Sequence, residues 1–179
     1  MRGLVILALL MLPMLLQAQQ YQVVSPDGKL KAEINVAGNI HFRLYKGKRI
    51  LMHSRPIGMT VKGGKSLGRS ETVVTTETAN VRRTVSPVAP TKNATVKEEF
   101  NGITLILSSG LHIEFRCFDD GLAYRMATVL DGDIKIEEEQ MGFEVVNDPD
   151  CWFPQESSMF SHNERKFTET SNQVIAKGK

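Results

Sequence analysis

Residues 111–128, LHIEFRCFDDGLAYRMAT, limit the possible folds more than any other stretch, because they read as two strands joined by a tight turn. Leu111, Ile113, Phe115 and Cys117 alternate with His112, Glu114 and Arg116, and a period of two sends one set to each face of a sheet. Asp120-Gly121 supplies the turn, since an Asp-Gly pair between alternating runs tolerates the positive φ that tight hairpins need. Leu122, Tyr124 and Met126 then share one face and Ala123, Arg125 and Ala127 the other. With Asp120 and Gly121 as the two loop residues, Phe115 pairs with Met126, Cys117 with Tyr124, and Arg116 with Arg125. Like charges directly opposed repel, so this register predicts a carboxylate between the arginines, with Glu114 and Asp119 the nearest. A longer loop would remove the clash.

The remainder of the chain repeats this grammar. Residues 21–24, 30–36, 40–46, 49–53 and 57–61 read as strands, punctuated by Ser25-Pro26-Asp27-Gly28, Gly38-Asn39 and Lys46-Gly47-Lys48. Residues 63–68 read as a loop. Residues 69–95 are weakly patterned, rich in β-branched residues and broken by Pro87 and Pro90, which predicts an edge strand near 81–85 and a connection over 86–93. Asn101-Gly102 predicts a second hairpin, turning residues 95–100 into 103–109. Strands follow at 134–138 and 142–146, with Glu137, Glu138 and Glu139 as a solvated strand end. Beyond Val146 the chain reads as a loop carrying the single Trp, and residues 161–179 as a polar tail. Some ten short strands joined by tight turns predict an all-β antiparallel sandwich.

Residues 1–18 read as a secretory signal peptide: Arg2, an apolar run over 4–16 interrupted by Pro13, then Gln17-Ala18-Gln19 with cleavage expected after Ala18. Residues 19–179, about 160 in all, form one domain. A net charge of +2 with interspersed signs leaves no electrostatic footprint for nucleic acid, and no membrane attachment is expected after cleavage. Cys117 falls on the apolar face of the hairpin, which favours a buried thiol over a bridge to Cys151. Asn93-Ala94-Thr95 is formally a glycosylation sequon.

Familiar catalytic arrangements are missing. Gly63-Gly64-Lys65-Ser66 lacks the spacing of a phosphate loop, no G-x-S-x-G elbow occurs, and His41, His53, His112 and His162 are dispersed. Aromatic and polar residues gather only in residues 152–167, WFPQESSMFSHNERKF. Exposed rings beside carboxylates suit sugar stacking and a hard cation such as Ca²⁺. The plainer alternative is that Trp152 and Phe153 close the sandwich core while Glu156 and Glu164 are solvated.

Ser25-Pro26-Asp27-Gly28-Lys29-Leu30, Lys46-Gly47-Lys48, Ile57-Gly58, the run IEFRCFDDGLAYR over 113–125, and Trp152-Phe153-Pro154, in that order, resemble the N-terminal domain of glycoside hydrolase family 97. The family includes secreted α-glucosidases and α-galactosidases. The resemblance implies a β-super-sandwich of galactose-mutarotase type, packed against a catalytic (β/α)₈ barrel that carries the catalytic carboxylates and is absent from this chain, so no catalytic residue is expected here. It also implies that a loop after Trp152-Phe153-Pro154 lends a Ca²⁺-ligating glutamate to the sugar site, with Glu164 matching best and Glu156 second. Substrates would be oligosaccharides with α-linked glucose or galactose, and the location periplasmic. The family domain continues past the position of Lys179, so a fragment with an incomplete sandwich is the expectation. A free-standing secreted carbohydrate-binding or structural sandwich is the alternative.

Overall fold

The computed structural model describes residues 20–89, 92–156, 158, 160–162 and 164–177. The signal peptide expected at 1–18 lies outside them. The elements in chain order are β1 (Gln20–Val24), β2 (Leu30–Asn35), β3 (His41–Lys46), β4 (Arg49–Ser54), β5 (Gly58–Val61), β6 (Lys65–Leu67) and β7 (Val73–Val85). There follow β8 (Val96–Leu107), β9 (Leu111–Cys117), β10 (Leu122–Thr128), β11 (Ile136–Gln140), β12 (Phe143–Val145), β13 (Asp150–Phe153), β14 (Thr168–Ser171) and α1 (Asn172–Lys177). Strands β1-β2-β3-β4-β12 form one sheet, β10-β9-β8-β7 a second, β11-β5-β6 a third, and β13-β14 a separate pair. Every described pairing is antiparallel, so the chain has the all-β antiparallel architecture expected of it.

The core follows from the period of two. Leu30, Ala32 and Ile34 of β2, Phe42 and Leu44 of β3, Leu105 and Leu107 of β8, and Leu111, Ile113, Phe115 and Cys117 of β9 are all buried, while their alternates are not. The first and second sheets meet where the Phe42 and Phe115 rings pack edge to face, 5.8 Å between centroids, with Tyr124 against both. Met59, Val61 and Leu67 extend the same core into the third sheet.

The central hairpin forms with a different register from the one its turn chemistry suggests. Cys117 pairs with Leu122, so the loop is residues 118–121 and is closed by a bond from the Phe118 N–H to the Gly121 carbonyl. The two-residue slip keeps each side chain on its expected face and removes the arginine clash, because Glu114 stands opposite Arg125. Glu114 then accepts from Arg116 Nε at 2.6 Å and from Arg125 Nε. Asp119 is used elsewhere, accepting the Asp27 N–H at 2.8 Å and tying the β1–β2 turn to this loop.

Asn101-Gly102 is not a turn. It lies inside the twelve-residue strand β8, paired on one side with Asn80 and Ala79 and on the other with Cys117 and Arg116. Gly102 is there for space: a Cβ would lie 3.3 Å from the Phe115 carbonyl oxygen and 3.4 Å from the Phe100 ring. Asn101 is occupied too, its amide donating to the Val24 carbonyl at 2.7 Å and accepting from Asn80 at 2.9 Å. The weakly patterned region likewise forms the single thirteen-residue strand β7, exposed along most of its length because it has one neighbour. Residues 63–68 are not wholly a loop, since Lys65–Leu67 pairs with β5 and buries Leu67.

Across the outer face of the second sheet runs a charge ladder, Arg83–Glu98–Arg116–Glu114–Arg125, with one or two members on each strand. Burial opposes ionisation of Glu114, but the hydrogen bonds from Arg116 and Arg125 outweigh it and hold the carboxyl below the usual glutamate range. A folded-state pKa below the unfolded one means that the group stabilises above the unfolded value and that this contribution disappears as pH falls through the folded one. Glu114→Gln is therefore expected to cost about 1–2 kcal/mol at pH 7. Wild type and variant should converge in urea midpoint as pH drops below the carboxylate range, and an undiminished gap at low pH would count against the ladder.

Candidate functional site

The chain beyond Val146 is structured, contrary to its loop-like reading. Asn147 takes positive φ, redirecting the backbone, and Asp150, Cys151, Trp152 and Phe153 pair with Ser171, Thr170, Glu169 and Thr168. Cys151 and Phe153 stand opposite threonines, β-branched and aromatic side chains favour extended backbone, and the pair is reinforced locally: Cys151 Sγ and Thr168 Oγ1 each donate to a carbonyl of the opposite strand, Thr170 and Phe153, at 3.3 Å. Helix α1 begins directly after β14, where Asp148 Oδ1 accepts the Gln173 N–H at 2.8 Å. Sequence reasoning missed this unit because its second strand is four polar or half-polar residues, whose only signal is Thr168 alternating with Thr170.

The two strands and the described residues between them expose large aromatic side chains. Trp152 is 64% exposed, Phe160 fully so, and Phe167 and Phe153 are exposed as well. Among the described residues, neither Trp152 nor Phe153 belongs to the buried cluster of the sandwich.

Between the strands lie the two candidate ligands. Glu156 Oε2 pairs with Arg165 Nε at 3.1 Å, and its Oε1 is buried with no hydrogen-bond partner. Glu164 is exposed, and its backbone N–H donates to His162 Nδ1 at 3.0 Å. Among the described residues no group of three or more His, Cys, Asp or Glu is placed to hold a metal. Ca²⁺ takes six to eight oxygens. Glu164 fits the role of one outward-facing ligand in a site completed by other residues. Glu156 fits less well, because Arg165 already neutralises it.

Cys117 and Cys151 are free. Burial, with Asp119 and Asp27 adding to it, pushes the Cys117 thiol up to about 11, so it is an inert core residue. His53 pairs with Glu144 at 2.7 Å, and Arg55 holds the other oxygen of that carboxylate at 2.9 Å, which makes this histidine part of a surface ion-pair group.

Comparison with known proteins agrees with the geometry. The family described as Glycosyl-hydrolase 97 N-terminal matches residues 23–179. A retaining alpha-galactosidase of Bacteroides thetaiotaomicron is 31% identical over 114 residues, which are 62% of this chain and 17% of that protein. Among solved structures, a family 97 enzyme from Pseudoalteromonas sp. strain K8 in complex with panose superposes with a TM-score of 0.65 at 19% identity, over 75% of this chain and 22% of that one. A beta-arabinopyranosidase crystal structure gives 0.69 at 20% identity, over 84% and 26%. The chain thus spans about a quarter or less of the length of these relatives.

Proposed function

The chain belongs to glycoside hydrolase family 97, whose N-terminal domain it carries over residues 23–179, and from this we propose that it is the N-terminal β-sandwich portion of a secreted, Ca²⁺-dependent α-glucosidase or α-galactosidase. In this reading the sandwich packs against a catalytic (β/α)₈ barrel of the same polypeptide and lends the loop between β13 and β14 to the sugar site. Glu164 supplies one Ca²⁺ ligand, and the bound ion would act there as a fixed positive charge near the sugar. The remaining ligands and the catalytic carboxylates lie outside this chain, which by itself hydrolyses nothing. The signal-like residues 1–18 support a periplasmic location.

The observation that carries the proposal is the match of the family domain to the whole sandwich together with an aromatic, carboxylate-bearing loop that the core leaves exposed. An antibody against residues 19–46, applied to periplasm of the source organism, should detect a product several times heavier than this chain. That product should cleave nitrophenyl α-glucoside or α-galactoside and lose activity to a chelator. Glu164→Gln in it is expected to raise the Ca²⁺ concentration for half-maximal activity at least about tenfold, the cost of losing even an outer-sphere partner. An unchanged Ca²⁺ titration would remove Glu164 from the site. A native product at the size of this chain that binds sugar without cleaving it would favour the free-standing module instead.

A further inference from the structure

We propose that the paired strands β13 and β14 form a pyranose-stacking platform, with the Trp152 indole as its floor and Glu169, directly across the pair, as its hydrogen-bonding wall. The choice of sugar rests on the functional reading above; the platform rests on the geometry.

In an antiparallel pair, directly opposed residues project to the same side and residues two apart follow them, at Cβ separations of about 4.5–5.5 Å across the strands. The register Asp150↔Ser171 and Trp152↔Glu169 therefore gathers Asp150, Trp152, Glu169 and Ser171 on one face. Cys151, Phe153, Thr168 and Thr170 take the other. The first face holds one large aromatic plane, two exposed carboxylates and a half-buried serine. Among the described residues, the hydrophobic core cluster does not include Trp152.

An exposed indole has two plausible covers, a protein surface or a ligand, and Glu169 decides between them. A protein surface laid over Trp152 would also cover the carboxylates at 150 and 169, and charged groups are depleted from such buried centres because stripping them of water is costly. A pyranose avoids that conflict. One ring face is a run of C–H groups that lies flat on indole, while hydroxyls at the ring edge donate to carboxylates beside it. Neutral sugars fit better than acidic ones, because Asp150 and Glu169 would repel a carboxylate.

Trp152 is the one Trp of this sequence, so the emission of the 179-residue chain reports on the platform alone. Titration with maltotriose and with melibiose should give a saturable change in emission with at least one of them. Glu169→Gln, checked by thermal melt for an unchanged fold, should weaken that binding about tenfold, the loss of one charge-assisted hydrogen bond. In the complete polypeptide, Trp152→Ala should raise KM with kcat little changed, and Trp152→Phe should restore most of the loss. Emission unmoved by both sugars, or equal KM for wild type and Trp152→Ala, overturns the platform and leaves another part of the protein as its cover. Those outcomes leave the Ca²⁺ dependence of the complete enzyme intact, whereas an inactive complete polypeptide whose Trp152 still responds to sugar would sink the glycosidase reading and spare the platform.

Discussion

Gly68→Ala is expected to destabilise the chain by about 3–5 kcal/mol, combining backbone strain with overpacking. Gly68 follows β6 at φ +94°, which L side chains rarely adopt. An added Cβ would also sit 2.7 Å from the Ile57 carbonyl oxygen and 2.9 Å from the Gly58 Cα. Both are backbone atoms and cannot rotate away, so the end of the β5–β6 pair would have to open, taking the buried Ile57 and Leu67 with it. Gly64→Ala is the matched control. It shares positive φ, at +77°, but nothing lies within 4 Å of its Cβ position, so only the conformational cost of about 1–2 kcal/mol applies. Urea denaturation of the two variants should separate them clearly. Equal midpoints would mean that the close approach at Gly68 does not bear on stability.

Phe115→Ala is expected to cost about 3–5 kcal/mol, a large part of the roughly 5–15 kcal/mol that holds a domain together. The ring is completely buried and touches Phe42 of the facing sheet and Tyr124 of the neighbouring strand, so its removal leaves a cavity at the junction of both sheets. Rigid strands on each side cannot collapse into that space without breaking register. Phe160→Ala, at a ring fully exposed in the β13–β14 loop, should stay within about 0.5 kcal/mol of wild type. A small effect at Phe115 would show that the sheets repack, and would contradict the edge-to-face contact as their joint.

Much of the architecture was legible because alternation is a local property. Leu30, Ala32 and Ile34, or Leu111, Ile113 and Phe115, announce their buried face from spacing alone, and the structure buries all six. Pro26-Asp27-Gly28 and Gly47 mark real turns, with both glycines at positive φ. The family resemblance was legible for the same reason, since turn motifs and core alternation occur in fixed order.

Turn residues become ambiguous where a glycine meets a neighbour far away in sequence. Asn101-Gly102 carries the signal of a tight turn, yet Gly102 serves a close contact with Phe115 and Phe100, and Asn101 bonds to Val24 across the sandwich. The central hairpin differs by two residues in pairing for a related reason: the Glu114 ion pairs with Arg116 and Arg125 and the Asp27–Asp119 contact favour a longer loop than the Asp-Gly pair alone would choose.

At the candidate site, Glu156 and Glu164 could be named from motif position, but their states could not. Arg165 pairs with Glu156, nine positions away in sequence, and that choice of partner is not written in the motif. The opposition of Trp152 and Glu169 was out of reach altogether, because the residues are seventeen positions apart and strand pairing is a long-range choice. By itself the sequence determined the alternating strands of the core, such as β2, β3, β9 and β10, and which of their faces are apolar, since both follow from side-chain chemistry at a spacing of two. Only the tertiary structure decided partners, register and the company each charge keeps, because backbone hydrogen bonds are indifferent to sequence and pairing is selected by packing and charge contacts between distant segments.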